Sequence, residues 1–326
     1  MSKHELTRRA TLGLMSAALM PNISWAAGDY PNKRVKMVVP YAAGGTSDVV
    51  ARFVAQRMQH KLGQSVIVEN RPGSGAIVGT QYVARADPDG YTLMNGGVST
   101  HAINPNLRRK APFDGIKDFT SIGMIGSGPL VVSVHPSLPV HNLQELIDYG
   151  KANPTKLACG SATGTILHLA AEVLKEIGGF EMLHVPYAGN GPALLDVLGG
   201  RVPVMIDNIN NSAPHIIGGK LRAIVVPSEE RAKLLPDVPI SSEAGHPDFI
   251  VETWFALFGP AKMPDDVVIT INKTMNAALQ EPDTATEFVK LGVDVRTSSP
   301  SEAAAYLQAE FDRWRDVIKR IGLQTD

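Results

Sequence analysis

Short apolar runs alternate with amphipathic stretches along most of this 326-residue chain. Val35–Val39 is a β-branched apolar run, the pattern of a buried strand. Val49, Val50, Phe53, Val54, Met58 and Leu62 then share one helical face, with Gly63 placed to end the helix and Thr46, Ser47 or Asp48 to cap its start. Residues 66–68 predict a second strand, followed by a Gly-rich turn at 71–75 and a helix to about residue 85. After the turn Asp87-Pro88-Asp89-Gly90, residues 91–94 predict a third strand that ends in a loop at 96–101. This βαβαβ order calls for a parallel, doubly wound sheet, whose loops at the C-terminal strand ends share one edge.

The pattern continues with strand-like pieces at 121–125 and 130–134 and then restarts. A helix at 142–152 is followed by a strand at 156–159, a loop at 160–165 and a helix at 166–177. A strand at 182–185, a helix at 191–198, a strand at 202–206 ending on Asp207 and a strand at 221–226 complete a second α/β unit. Residues 227–248, rich in Pro, Ser and charge, read as a connector. A strand at 251–258 and helices at 264–280, 283–291 and 301–321 close the chain. In the last helix Ala304, Leu307, Phe311, Trp314 and Ile318 form a core-facing stripe. The fold class predicted is α/β with two lobes, each a doubly wound sheet flanked by helices. Residues 27–126 and 227–326 make the first lobe and 127–226 the second. The chain crosses between them near 126–130 and 222–228, which places a hinge there and a cleft between the lobes.

Composition adds little except by exclusion. A net charge of −1 gives no bulk attraction for nucleic acid or an acidic membrane. Cys159 is the single cysteine, so no intramolecular disulfide forms. The N-terminus is more informative. Lys3, Arg8 and Arg9 precede an apolar run at 10–20 that is too short to span a bilayer, and Ser24-Trp25-Ala26 suits a cleavage site before Ala27. Residues 1–26 therefore read as a secretory signal. The run Thr7-Arg8-Arg9-Ala10-Thr11-Leu12 only loosely fits a twin-arginine signal, so Sec export stays open.

Most catalytic motifs fail on inspection. Pro40-Tyr41-Ala42-Ala43-Gly44-Gly45-Thr46-Ser47-Asp48 lacks the lysine of a phosphate-gripping Walker loop. Gly73-Ser74-Gly75 with Gly79 resembles a dinucleotide loop but follows the second strand, not the first. Gly160-Ser161-Ala162-Thr163-Gly164 carries Ala162 where a hydrolase elbow needs its nucleophile. The nine histidines form no metal-binding spacing, and no metal or cofactor is expected. Cys159 reads as a small buried residue. His168 reads equally as a packing residue or a ligand contact, and Asp207 as a helix cap or a polar group facing the cleft. What remains are Gly/Ser/Thr loops at strand-to-helix junctions. Their free backbone N–H groups and helix dipoles suit an anion, and two such loops facing each other can clamp a carboxylate. With no acid–base pair visible, binding is favoured over catalysis.

Several segments then resemble the Bug family of extracytoplasmic receptors for tripartite tricarboxylate transporters. They are Val39-Pro40-Tyr41-Ala42-Ala43-Gly44-Gly45-Thr46-Ser47-Asp48, Val68-Glu69-Asn70-Arg71-Pro72-Gly73, His101-Ala102-Ile103-Asn104-Pro105, Val185-Pro186-Tyr187-Ala188-Gly189, Pro192-Ala193-Leu194-Leu195-Asp196, Leu235-Pro236-Asp237-Val238-Pro239 and Trp254-Phe255-Ala256-Leu257-Phe258-Gly259-Pro260. The resemblance implies a monomeric periplasmic binding protein of the two-lobed, type II-like kind that closes on a small organic acid and delivers it to membrane permease subunits. It places Tyr41, Ala42, Gly44, Gly45 and Thr46 in one jaw, with Ser99, Thr100 and His101 beside them. Ser161, Thr163, Thr165 and His168 line the other jaw, and Asp207 reads the distal part of the ligand. Ile166 and Leu167 stand where small polar residues or Pro are common in the family, so the ligand's identity does not carry over. An ionised Asp207 would disfavour a second carboxylate beside it. The alternatives are a ligand sensor serving a signalling receptor and an exported enzyme acting on a small organic acid.

Overall fold

The first α/β run folds as its periodicity requires. Strand β1 (Val35–Val39) leads to α1 (Thr46–Leu62), β2 (Val66–Asn70), α2 (Ile77–Ala84) and β3 (Thr92–Gly97). β1 pairs in parallel with both β2 and β3, so the first strand lies in the middle of its triplet. The computed structural model describes residues 30–325, and the export segment predicted for residues 1–26 lies outside them. Among the described residues no helix is long and apolar enough to cross a membrane.

The segment after β3 departs from expectation. Val98–Ile103 overlaps the loop expected at 96–101 but winds into a π-helical turn that runs into the short helix α3 (Asn104–Leu107). The two strand-like pieces that follow are one long strand, β4 (Phe119–Val134). Gly126, Gly128 and Pro129 look like breakers in the sequence. The glycines instead make room for the chain on the strand's flank. A Cβ on Gly128 would stand 2.2 Å from the Gly292 carbonyl oxygen, and one on Gly126 2.6 Å from that of Asp294.

The second unit repeats the first. After α4 (Leu143–Ala152), capped by the Asn142 side chain, come β5 (Ala158–Ser161), α5 (Ile166–Gly178), β6 (Leu183–Pro186), α6 (Asn190–Leu198) and β7 (Val204–Asn208). β5 is parallel to both β6 and β7 and again sits in the middle. A helix foreshadowed only by the reading of Asp207 as a helix cap, α7 (Ile209–Ile217), follows β7 directly, with Asn208 rather than Asp207 at its N-cap, and precedes β8 (Arg222–Val225). The connector carries no named element until β9 (Glu252–Pro260), which is followed by α8 (Asp265–Leu279), α9 (Thr284–Lys290), β10 (Asp294–Val295) and α10 (Pro300–Arg320).

The strand order is β2-β1-β3-β9-β4-β7-β5-β6, with β8 and β10 also paired to β4. The sheet is mixed rather than wholly parallel, because β9 runs against β3 and β4, and β4 runs against β7. β4 pairs with β9 over Phe119–Pro129 and with β7 over Leu130–Val134, so one strand belongs to both halves. A single apolar cluster joins Val38 and Met94 of the first half to Val132, Leu169 and Ile206 of the second. On α10 the buried face is Ala303, Leu307, Glu310, Trp314 and Ile318, while Ala304 is exposed. Glu310 belongs inside because its Oε2 accepts the indole N–H of Trp254 at 2.9 Å and of Trp314 at 3.2 Å.

Candidate functional site

In each triplet the strand order reverses around the middle strand. That reversal parts the loops and opens a crevice at the carboxyl end of the strand. The loops leaving β1 and β5 therefore mark equivalent positions, Tyr41 to Thr46 in one half and Ser161 to Thr165 in the other.

The first loop is held open by its neighbours. Gly45 is the N-cap of α1 and offers no side-chain cap; Thr46 is already helical, so neither Thr46, Ser47 nor Asp48 caps the helix from outside it. Asp48 instead reaches back, its Oδ2 accepting the Gly44 N–H at 2.9 Å and the Arg52 Nε–H at 3.0 Å. Its Oδ1 accepts from the Asn70 amide at 2.9 Å. Burial alone would raise the Asp48 pKa, but Arg52, the Gly44 N–H and Asn70 together hold it below the usual carboxylate value. Gly44 adopts φ +88°, a left-handed conformation that favours glycine. Ala42 to Gly45 are exposed.

Three asparagines knit the strand-end loops together. Asn70 donates to the Tyr41 carbonyl at 3.0 Å, Asn95 to the Ser47 carbonyl at 2.8 Å, and Asn104 to the carbonyls of Gly75 at 2.7 Å and Ser99 at 2.9 Å. The loops after β1, β2 and β3 thus converge on one edge. Burial pushes the Tyr41 phenol up to about 12, against a smaller opposing effect of Ser99. Thr100 and His101 are occupied within the first half. Thr100 Oγ1 lies 2.9 Å from both the N–H and the carbonyl oxygen of Gly97 and 2.8 Å from His101 Nδ1. The His101 ring stacks on Phe258 at 3.7 Å and meets Phe119 edge-on at 4.5 Å. Burial drives its pKa down to about 3, so the ring is neutral.

The second loop is more deeply set. Gly164 turns it at φ +79° into α5, with Thr165 at the N-cap. The Thr165 hydroxyl donates to the Ala162 carbonyl at 2.7 Å, which leaves the helix N-terminus without a side-chain cap. His168 is buried, stacks on His184 at 3.9 Å and presents Nδ1 to the Gly164 N–H at 3.4 Å. Burial, then the neighbouring His184 and Lys175, push its pKa down to about 3. Ser161 Oγ lies 2.9 Å from His184 Nε2, a contact that resembles a nucleophile–base pair. The same nitrogen lies 3.2 Å from the Ser161 carbonyl, which can only accept. With its proton on Nε2, His184 donates to Ser161 and does not activate it. Cys159 is fully buried and its thiol is pushed up to about 12, as an inert packing residue.

Each loop or the helix after it touches the other half, though through different elements. The Ile166 N–H, at the start of α5, donates to Ser99 Oγ at 3.0 Å. Thr46 Oγ1 donates to Asn210 Oδ1 of α7, also at 3.0 Å. Thr163 lies against Gly75, where an added Cβ would stand only 2.5 Å from the Thr163 carbonyl oxygen. Asp207, at the end of β7, is fully buried, and burial raises its pKa to about 6 despite donors from Asn211, Asn208 and Asn190. Asn70, Asn95, Asn104, Asn190 and Asn210 were not singled out from sequence. Asn70 ends β2 and Asn210 follows β7 by two residues, whereas Asn95 lies inside β3 and Asn104 and Asn190 begin helices, so they share no local signal. A cavity of about 430 Å³ lies elsewhere, beside the middle of β4, lined by Gly128, Arg231, Glu252 and Arg296 among others.

Residues 50–323 match the family described as the tripartite tricarboxylate transporter family receptor. BugT of Bordetella pertussis is 33% identical over 315 residues, covering 96% of this chain and 97% of that protein. Among solved structures, an R. palustris protein with adipate aligns at TM-score 0.86 and 35% identity, covering 91% of this chain and 99% of the other. MatC from Rhodopseudomonas palustris with bound malate aligns at TM-score 0.83 and 33% identity, covering 89% and 100%. Matched along nearly its whole length by these relatives, and built on the same two-lobed α/β plan, the chain belongs to the receptor family of the tripartite tricarboxylate transporters.

Proposed function

We propose that this protein is a periplasmic receptor that closes around a small organic acid and presents it to the permease subunits of a tripartite transporter. The observation that supports the reading is the pair of equivalent helix N-termini, α1 after β1 and α5 after β5, neither capped by the side chain of its own N-cap residue. Each offers backbone N–H groups and the positive end of a helix dipole, so a carboxylate between them needs no lysine or arginine. Tyr41, Ala42, Gly44, Gly45, Thr46 and Ser99 form one jaw, with Thr100 and His101 supporting it from behind. Ser161, Thr163, Thr165 and His168 form the other, and Asp207 bounds the cleft. Residues 27–126 with 227–326 make one lobe and 127–226 the other, hinged where β4 passes between them. The carboxylates adipate and malate, present in the two related structures, support an acid as ligand.

Binding rather than turnover follows from the chemistry of the loops. The histidines nearest the site are neutral and occupied, and Ser161 faces a donor. The ligand favours the closed form by bridging the jaws, which is what a receptor that signals its loaded state to a membrane partner requires. The receptor acts as a monomer after removal of residues 1–26. The test is mass spectrometry of the small molecule released from purified protein, followed by thermal melting with a panel of organic acids. A released acid that raises the melting temperature supports the reading; a panel without any shift, and no acid released, overturns it.

A further inference from the structure

The cavity of about 430 Å³ beside β4 lies where the chain passes from one half to the other. β4 contributes Ser127, Gly128 and Pro129, the residues just before its pairing changes from β9 to β7. Ile209, which starts α7 after β7, lines it from the second half. Glu252, the first residue of β9, and Arg296, just past β10, line it as well. The volume falls within the range of small-molecule sites, about 300–1,000 Å³. None of the residues given to the two jaws lines it.

Two of the cations on its wall are already engaged. Arg231 holds the Glu243 carboxylate by two bonds, at 2.8 and 2.9 Å, and Lys233 holds Asp294. Glu252 and Arg296 differ. Arg296 Nη2 lies 3.6 Å from Glu252 Oε2, too far for a hydrogen bond, and among the described residues neither side chain has a hydrogen-bond partner. Burial raises the Glu252 carboxyl above its ordinary value; Arg296 opposes this incompletely, and Glu229 adds to it. The cavity therefore presents one underused acid and one underused base side by side. Apolar side chains of Ile209, Leu234, Val289 and Val293 line the same space.

This juxtaposition decides the class of ligand. A simple carboxylate that reaches Arg296 also meets Glu252, and a simple amine that reaches Glu252 also meets Arg296. Each gains one contact and is opposed by the other. A zwitterion whose ammonium and carboxylate are joined through one carbon satisfies both at once, and the guanidinium can hold the carboxylate by two parallel bonds. We propose that this cavity is a second binding site, separate from the cleft, for an aliphatic α-amino acid. The ammonium meets Glu252, the carboxylate meets Arg296, and the side chain lies against Ile209, Leu234, Val289 and Val293.

Calorimetric titration with L-leucine, isocaproate and isopentylamine tests this; the last two are leucine without its ammonium and without its carboxylate. Leucine binds about tenfold or more tightly than either, because each analogue strands one of the two charged groups. Arg296→Gln and Glu252→Gln each lower leucine affinity about tenfold. Neither moves the melting temperature much, since a partly exposed pair at 3.6 Å contributes little to stability. Should one variant fail to fold, the other decides. No heat with leucine, or an analogue that binds as tightly, overturns the inference. So does leucine binding that both variants keep in full, which would place leucine between the jaws instead; the carboxylate reading of the cleft would stand in every one of these cases.

Discussion

Ser99→Ala removes the hydroxyl to which the Ile166 N–H donates, 3.0 Å away at a buried position. That N–H is the first of α5 and has no acceptor within the helix. In the closed molecule it would be left buried and unpaired, at about 1–3 kcal/mol. When the lobes part, water reaches the N–H and the penalty disappears. The cost therefore falls on closure and, through closure, on ligand affinity, which drops about 5- to 150-fold. Calorimetric titration of wild type and variant with the released acid reads this effect. A variant that melts lower but binds the acid as tightly as wild type refutes the reasoning, because the Ser99–Ile166 bond is then an internal brace and not a clasp between lobes.

Other consequences are as specific. Gly75 sits at φ +64° with Thr163 O in the space of a Cβ, so Gly75→Ala prevents full closure and weakens binding tenfold or more by calorimetry; retained affinity would show that these loops need not touch. Glu310→Ala strands the N–H groups of Trp254 and Trp314 and destabilises the protein by about 2–4 kcal/mol in urea unfolding, while Glu310→Gln, which keeps an acceptor, loses less than half of that. His101 and His168 are both pushed down to about 3, so the unfolded chain binds protons that the folded one refuses. Their stabilisation is complete above about pH 6.5 and is lost as the pH falls toward 3. Asp207, raised to about 6, works in the opposite sense between about pH 4 and 6, with half as many groups. Denaturant midpoints should thus fall as the pH drops from 7 to 4, and less steeply for His168→Asn; an equal slope in that variant would remove His168 from the account.

The strand-to-helix loops were legible in the sequence because Gly, Ser and Thr between a β-branched run and a 3.6-residue period have few other uses. The repetition of that arrangement after residue 156 was legible for the same reason, and so was the triplet of closing helices. What escaped is long-range. Gly126, Gly128 and Pro129 read as a break because local propensity counts them as breakers, whereas the glycines serve the approach of the chain around Gly292 and Asp294, far away in sequence. The π-helical turn at Val98–Ile103 follows Gly97, whose closeness to Trp254 O leaves no space for a Cβ. The asparagine anchors are invisible to periodicity, since Asn104 reaches Gly75 across 29 positions and Asn210 meets Thr46 across 164. Ser99, Thr100 and His101 were placed together beside the first jaw by the family resemblance. The turn separates them, sending Ser99 to the opposite loop and His101 into an aromatic stack.

The central claim is that two equivalent helix N-termini hold one carboxylate from opposite sides. Backbone amide hydrogen exchange, followed with and without the acid recovered from the protein, tests it most directly. The account predicts that saturation slows exchange together at residues 44–47 after β1 and at 163–167 after β5, to a similar degree. Protection of one loop while the other exchanges unchanged would contradict it.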